Sequence, residues 1–132
     1  MKIAAKESKL KRYKAKVKKV ISGDLYALDI DLGLRNMWCL DQLARLYGVF
    51  CVPGHGKNKC QEGLKIKAYA MEMIHGQEVI IDLEKDEGGR IVVKMFAKDH
   101  VDPDGQDVYI DFNEHLLDAG LATPRQELST EE

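Results

Sequence analysis

The sequence predicts an α+β domain, mainly β, in which five short strands close a barrel. One helix falls between strands three and four, and a short helix lies near the C-terminus. Three observations predict this. Short runs alternate apolar and polar residues with the period of two of a half-buried strand. A longer segment, Gln61 to His75, carries apolar residues at helical spacing instead. The order of segments (three strands, helix, two strands, helix) is that of the five-stranded OB-fold barrel, whose closure removes most exposed sheet edges.

Each element follows in turn. Tyr13, Ala15 and Val17 interleave with Lys14, Lys16 and Lys18, giving a first strand with one lysine face. Gly23-Asp24 is a turn signal, after which Tyr26, Leu28 and Ile30 alternate with Ala27, Asp29 and Asp31 to pair as a hairpin. The third apolar run reaches from about Met37 to Val49 and offers Trp38, Leu40, Leu43 and Leu46 to a core. Pro53 to Lys59 is a glycine-rich basic loop. In the helix that follows, Leu64, Ala68, Met71 and Ile74 form the expected apolar face. Glu78 to Leu83 and Arg90 to Ala97 are strands four and five, with Asp99 to Asp107 a polar loop. Phe112 to Ala119 is the short final helix, its Phe112, Leu116 and Leu117 facing inward and Gly120 placed to terminate it.

A chain of 132 residues that is 45% hydrophobic and 32% charged suits one domain with its own core, rather than a disordered polymer. No stretch approaches the ~18 uncharged apolar residues of a membrane span, and the basic N-terminus lacks the apolar centre of a secretion signal. Three cysteines, an odd number, argue against a disulfide framework and for a reducing, cytoplasmic setting. The expected organisation is a basic arm over residues 1–12, the folded domain over 13–123 and an acidic tail over 124–132.

The net charge of −2 conceals a division. Residues 1–67 hold 15 Lys/Arg against 6 Asp/Glu, and residues 68–132 hold 5 against 16. Such asymmetry marks either a face for a polyanion or a solvated, solubilising surface. On the first reading Lys11, Arg12, Lys14 and Lys16, with loop residues Lys57 and Lys59, track the phosphates of a nucleic acid, and binding is steeply salt-dependent. Aromatic residues are few, and most of Tyr13, Tyr26, Tyr47 and Trp38 are expected in the core, so a stacking platform for bases is not evident.

Four short motifs, in order over roughly residues 13–123, resemble the staphylococcal-nuclease-like (thermonuclease) family. Ser22-Gly23-Asp24-Leu25 stands where that family has Asp-Gly-Asp-Thr, and Ala44-Arg45-Leu46-Tyr47-Gly48-Val49 resembles its Val-Arg-Leu-Ile-Gly-Ile. Gly89-Arg90 is similar to its Tyr-Gly-Arg. Phe112-Asn113-Glu114 with Gly120-Leu121-Ala122 is similar to its Val-Asn-Glu and Gly-Leu-Ala. The resemblance implies a five-stranded barrel with phosphodiester chemistry built from one calcium ion, a carboxylate set, two phosphate-binding arginines and a glutamate beside the attacking water. A hard cation requires a cage of oxygen ligands, arginines give paired hydrogen bonds to phosphate, and a carboxylate orients or deprotonates water.

Transferred to this chain, the resemblance places Arg45 and Arg90 at the two arginine positions and Asp24 at one metal carboxylate. Ser22 replaces the first acid of the turn, Leu25 its threonine and Gly88 the tyrosine before the second arginine. Where the family has Asp-(Ala/Thr)-Pro-Glu, the chain reads Phe50-Cys51-Val52-Pro53 in strict register, or Cys51-Val52-Pro53-Gly54 with one insertion. Neither alignment supplies the second metal carboxylate or the base. Asp24 alone is then a weak remnant of a calcium site, or simply a turn residue, and Arg45 and Arg90 either bind phosphate or pair with neighbouring acids.

The implied function is that of a pseudoenzyme: a catalytically degenerate nuclease-fold module that binds nucleic acid or nucleotide phosphates. One alternative is a divergent calcium-dependent phosphodiesterase that recruits Asp29, Asp31 or Glu62 beside Asp24. Another is a protein-interaction effector using the acidic C-terminal half. Cys39, Cys51, His55 and Cys60 could supply four zinc ligands, but the C-x₃-H-x₄-C spacing of the last three is not a strong zinc pattern.

Overall fold

A computed structural model describes residues 12–57 and 60–126. Within them the chain forms β1 (Arg12–Ser22), β2 (Leu25–Asp31), β3 (Trp38–Leu46), β4 (Val49–Phe50), α1 (Gln61–Ile74), β5 (Glu78–Asp86), β6 (Ile91–Val101), β7 (Asp107–Asp111), α2 (Phe112–Asp118) and β8 (Thr123–Pro124). Antiparallel pairing runs β3-β2-β1-β5-β6-β7, and a parallel contact between β3 and β6 closes β1, β2, β3, β5 and β6 into a barrel. This mainly β architecture, a closed five-stranded barrel with two helices, is consistent with an OB-like fold. No described helix is long and apolar enough to cross a membrane.

The alternation in the first two strands sets the barrel's inside. Ala15, Val17, Tyr26, Leu28 and Ile30 point into one core with Val79, Ile81, Val93 and Met95, which α2 seals with Phe112 and Leu116. Tyr26 is fully buried, its ring edge-on to Phe112, and its hydroxyl donates to the carbonyl of Gly23 at 2.6 Å. Asn113 joins α2 to the wall. Its Oδ1 accepts from the Met95 N–H at 3.0 Å, and its Nδ2 donates to the carbonyls of Tyr47 at 2.9 Å and Val93 at 3.3 Å.

Several expectations require correction. Of the third-strand residues offered to the core, only Leu46 is buried; Trp38, Leu40 and Leu43 are exposed. The reason is geometric: β3 reaches β6 only through Ala44, Arg45 and Leu46, so its first half extends past the closed part of the barrel. The buried face of α1 is Gly63, Ile66, Ala70 and Ile74 rather than Leu64, Ala68, Met71 and Ile74, a rotation that puts glycine and alanine where the helix lies closest to the barrel. The fifth predicted strand runs on to Val101, past the start of the expected Asp99 to Asp107 loop, and hairpins into β7. The short pair β4–β8, which joins Val49 to Pro124 and Phe50 to Thr123, had no period long enough to be read. It draws Pro124 and Arg125 onto the barrel, and residues 127–132 of the expected acidic tail lie outside the described residues.

Close packing fixes one corner of the barrel. A Cβ on Gly63 would fall 1.8 Å from the Pro53 carbonyl oxygen, and one on Gly23 would fall 2.5 Å from Ile66 and 2.8 Å from the Cys51 sulfur. The start of α1, residues 51–54 and the β1–β2 turn therefore meet with no room for side chains between them. Hydrogen bonds complete the corner: the Gly54 N–H donates to Ser22 Oγ at 3.0 Å and the Cys60 N–H to the Pro53 carbonyl at 3.2 Å. Cys60 caps α1, its sulfur accepting from the Gly63 N–H at 3.4 Å.

Candidate functional site

Beside this corner lies an open cavity of about 180 Å³, whose polar lining comes from Ser22, Asp24, Arg45, His55, Arg90 and Arg125. Four chain segments supply its charges. Asp24 is in the two-residue turn between β1 and β2, Arg45 in β3, Arg90 immediately before β6, and Arg125 immediately after β8. Strand alternation explains Arg45: Ala44 and Leu46 point into the core, so the residue between them points to the outer face. There it is covered, and only 6% of it is exposed.

The carboxylates are already engaged. Asp24 Oδ2 accepts from the Cys51 N–H at 3.1 Å and lies 3.8 Å from Arg125 Nη2. Glu87, in the β5–β6 turn, accepts from Arg45 Nη2 through Oε2 at 3.2 Å and from Arg90 Nε through Oε1 at 3.3 Å. Burial raises the Glu87 pKa, but the hydrogen bond and charge of Arg45, with Arg90 and Lys85, outweigh it and hold the carboxyl below its usual range. Burial and the Asp24 charge push the Cys51 thiol up to about 12, against a smaller opposing effect of Arg125. That thiol is a protonated wall of the cavity at neutral pH, rather than a nucleophile. The guanidinium of Arg125 also lies over the Phe50 ring, 5.3 Å from its centre.

Asp24, Arg45 and Arg90, singled out in the sequence, thus share one cavity. Arg125, Glu87 and Phe50 were missed. Arg125 carried no signal beyond following Pro124, and Glu87 falls in the turn Lys85-Asp86-Glu87-Gly88-Gly89 between the fourth and fifth expected strands. Ser22, at the position of the first acid of the turn, lines the cavity with a neutral hydroxyl whose oxygen accepts from the Gly54 N–H.

Other expected site residues lie elsewhere. Asp29 Oδ1 accepts from the Asp41 N–H, Asp31 Oδ1 accepts from the Gly33 N–H, and Glu62 lines a separate cavity with Val52 and Ile66. None of these three carboxylates lines the Asp24 cavity. Of the four zinc candidates, Cys39 lines another, apolar cavity, Cys51 backs Asp24, His55 is exposed at the cavity rim and Cys60 caps α1. Among the described residues no three His, Cys, Asp or Glu side chains are grouped to hold a metal ion.

The lysine face of β1 is interleaved with acids. Lys14 pairs across to Asp31 and Lys16 to Asp29, while Lys18 Nζ lies 2.8 Å from Asp41. Arg12 forms a fork with Asp82 at 2.6 and 2.9 Å. Lys16 is six positions before Ser22, roughly 20 Å along an extended strand. Lys57 is exposed in the loop before α1. Lys11 and Lys59 lie outside the described residues, as do the other lysines of the N-terminal arm. No protein-family model matches this chain, and no characterised protein is significantly similar to it in sequence.

Proposed function

We propose that this protein is a binding module with a nuclease-like fold, and that its arginine cavity takes a phosphate group of a nucleotide or nucleic-acid end without hydrolysing it. The observation that carries the reading is the convergence of Arg45, Arg90 and Arg125, from three separate segments, on one cavity. Guanidinium groups match phosphate in planar, paired hydrogen bonds and keep their charge when desolvated. The cavity volume is several times the ~30 Å³ share of one water molecule, which suits a phosphate entering with part of its hydration shell. Glu87 already spans two of the arginines with its two oxygens, much as a phosphate would. The exposed edge of Phe50 offers one apolar wall for a sugar or base.

The carboxylate count supports binding over hydrolysis. Calcium takes six to eight oxygen ligands, usually several of them carboxylates. Among the described residues Asp24 is the one carboxylate lining the cavity, and its Oδ2 is held by the Cys51 N–H. The acid beside the arginines, Glu87, is a weak base at neutral pH because its cationic partners stabilise the ionised form.

The test is calorimetric titration at low salt with orthophosphate, 5′-mononucleotides and a short 5′-phosphorylated single strand, with calcium and with EDTA. Binding that is indifferent to EDTA, weakened at least tenfold in Arg125→Ala and Arg90→Ala, and accompanied by an intact strand is the expected result. Absence of binding to all three ligands would overturn the phosphate reading. Calcium-dependent cleavage lost in Arg90→Ala would replace it with the enzyme reading.

A further inference from the structure

We infer that the apolar surface around the β2–β3 hairpin is the interface of a two-fold homodimer. The basis is independent of the arginine cavity. Leu32, Leu34, Met37, Trp38, Leu40 and Leu43 are all exposed, with Leu34 at 64% and Leu40 at 57% of full accessibility. Their exposed fractions amount to about three whole residues, on the order of 600 Å² of mainly apolar surface. A standard interface covers ~800 Å² per partner, and about two-thirds of a homodimer face is apolar. The patch therefore supplies the apolar share of one such face without help from elsewhere.

The patch adjoins a recess. Beside the hairpin, at the open end of the barrel, is a cavity of about 240 Å³ walled mainly by Tyr13, Ile30, Leu32, Cys39, Leu83 and Ile91. That is smaller than the ~300 Å³ at which small-molecule pockets begin, and suits one apolar side chain. Leu32 belongs to both patch and cavity, so projection and recess adjoin on the same protomer. In the inferred dimer the hairpin of each copy sits against the cavity of the other, as an isologous, closed contact requires.

The projection is also held in place. The Leu32 N–H donates to the Met37 carbonyl at 3.0 Å and the Met37 N–H to the Leu34 carbonyl at 2.7 Å. Arg35 and Asn36 hold positive φ angles of 47° and 61° at the tip, a conformation that costs free energy and persists because these contacts determine it. Asp41, with φ of 56°, interrupts the free edge of β3, so the contact is made by side chains rather than by strand addition.

Sedimentation velocity from a few micromolar to a few hundred micromolar tests this, with Trp38 emission as a second readout because it is the only tryptophan. The expected result is a mass of about twice 14.9 kDa at the upper end, with tryptophan emission shifting to the blue as concentration rises. Leu34→Asp and Leu40→Asp, both outside the core, should each weaken association at least tenfold while leaving the circular dichroism and melting temperature of the monomer unchanged. A monomer at every concentration with constant emission overturns the inference. So does a dimer that neither substitution weakens, because its interface would lie elsewhere.

Discussion

Arg45 Nη2 lies 3.2 Å from Glu87 Oε2, an ion pair whose cation is almost wholly buried and whose anion is about one-third exposed. Glu87→Gln keeps the shape but leaves the guanidinium with less compensation. With the discount for solvent screening at Glu87, the loss is about 1 kcal/mol, or roughly 4 °C in melting temperature. The same change removes a carboxylate that competes with phosphate for the two arginines. Thermal melts across a phosphate titration should therefore show the variant starting lower and gaining more than the wild type. Equal gains would mean that phosphate does not replace Glu87.

Cys51 and Cys60 should differ sharply in reactivity. Cys51 is buried and its thiol is pushed up to about 12, whereas Cys60 is exposed at the start of α1. A thiol reagent at pH 8 should label Cys60 in the native protein and Cys51 only on unfolding. The pH dependence has a definite sign. The native thiol keeps its proton beyond the ordinary 9.0, so stability is intact below that value and falls as pH rises toward 12. Cys51→Ser should flatten that alkaline decline in urea unfolding curves, because a serine does not titrate there.

Gly63→Ala tests the packed corner. Gly63 is inside α1, where alanine is the better helix former, so a local argument predicts stabilisation of up to ~1 kcal/mol. The contact 1.8 Å from the Pro53 carbonyl reverses the sign: the helix and residues 51–54 must separate, at about 2 kcal/mol. Since Cys51 and Pro53 wall the arginine cavity, phosphate affinity should fall with stability. A more stable Gly63→Ala variant would show that the corner yields freely.

Asn113→Ala should cost about 3 kcal/mol in urea unfolding, because it leaves the Met95 N–H and the Tyr47 carbonyl without their bonds to this side chain. Its surface neighbour Glu114 provides the contrast, since Glu114→Ala should change stability by less than ~0.5 kcal/mol. Comparable losses in the two variants would contradict the pinning role of Asn113.

The parts of the fold that were legible in the sequence are those a local period can encode. Tyr26, Leu28 and Ile30 alternate and are buried as their pattern indicates. The failures share one cause, which is that burial depends on what lies opposite. Trp38 and Leu40 carry the same alternation, yet among the described residues β3 has no strand paired on that side there. Gly63 was invisible to an apolar pattern even though it marks the closest approach of α1. At the site, Asp24, Arg45 and Arg90 were singled out through short motifs, while Arg125 reaches the cavity through a two-residue strand that no local pattern announces.

The parallel contact that closes the barrel spans only Ala44 to Leu46 against Ile91 to Val93. Arg45 is the middle residue of one side, and Arg90 directly precedes the other. An anion gripped by both arginines would act as a clasp across the short seam that closes the barrel. Occupancy should then be legible far from calorimetry, as slower amide hydrogen exchange along those six residues, in proportion to how firmly the clasp is shut.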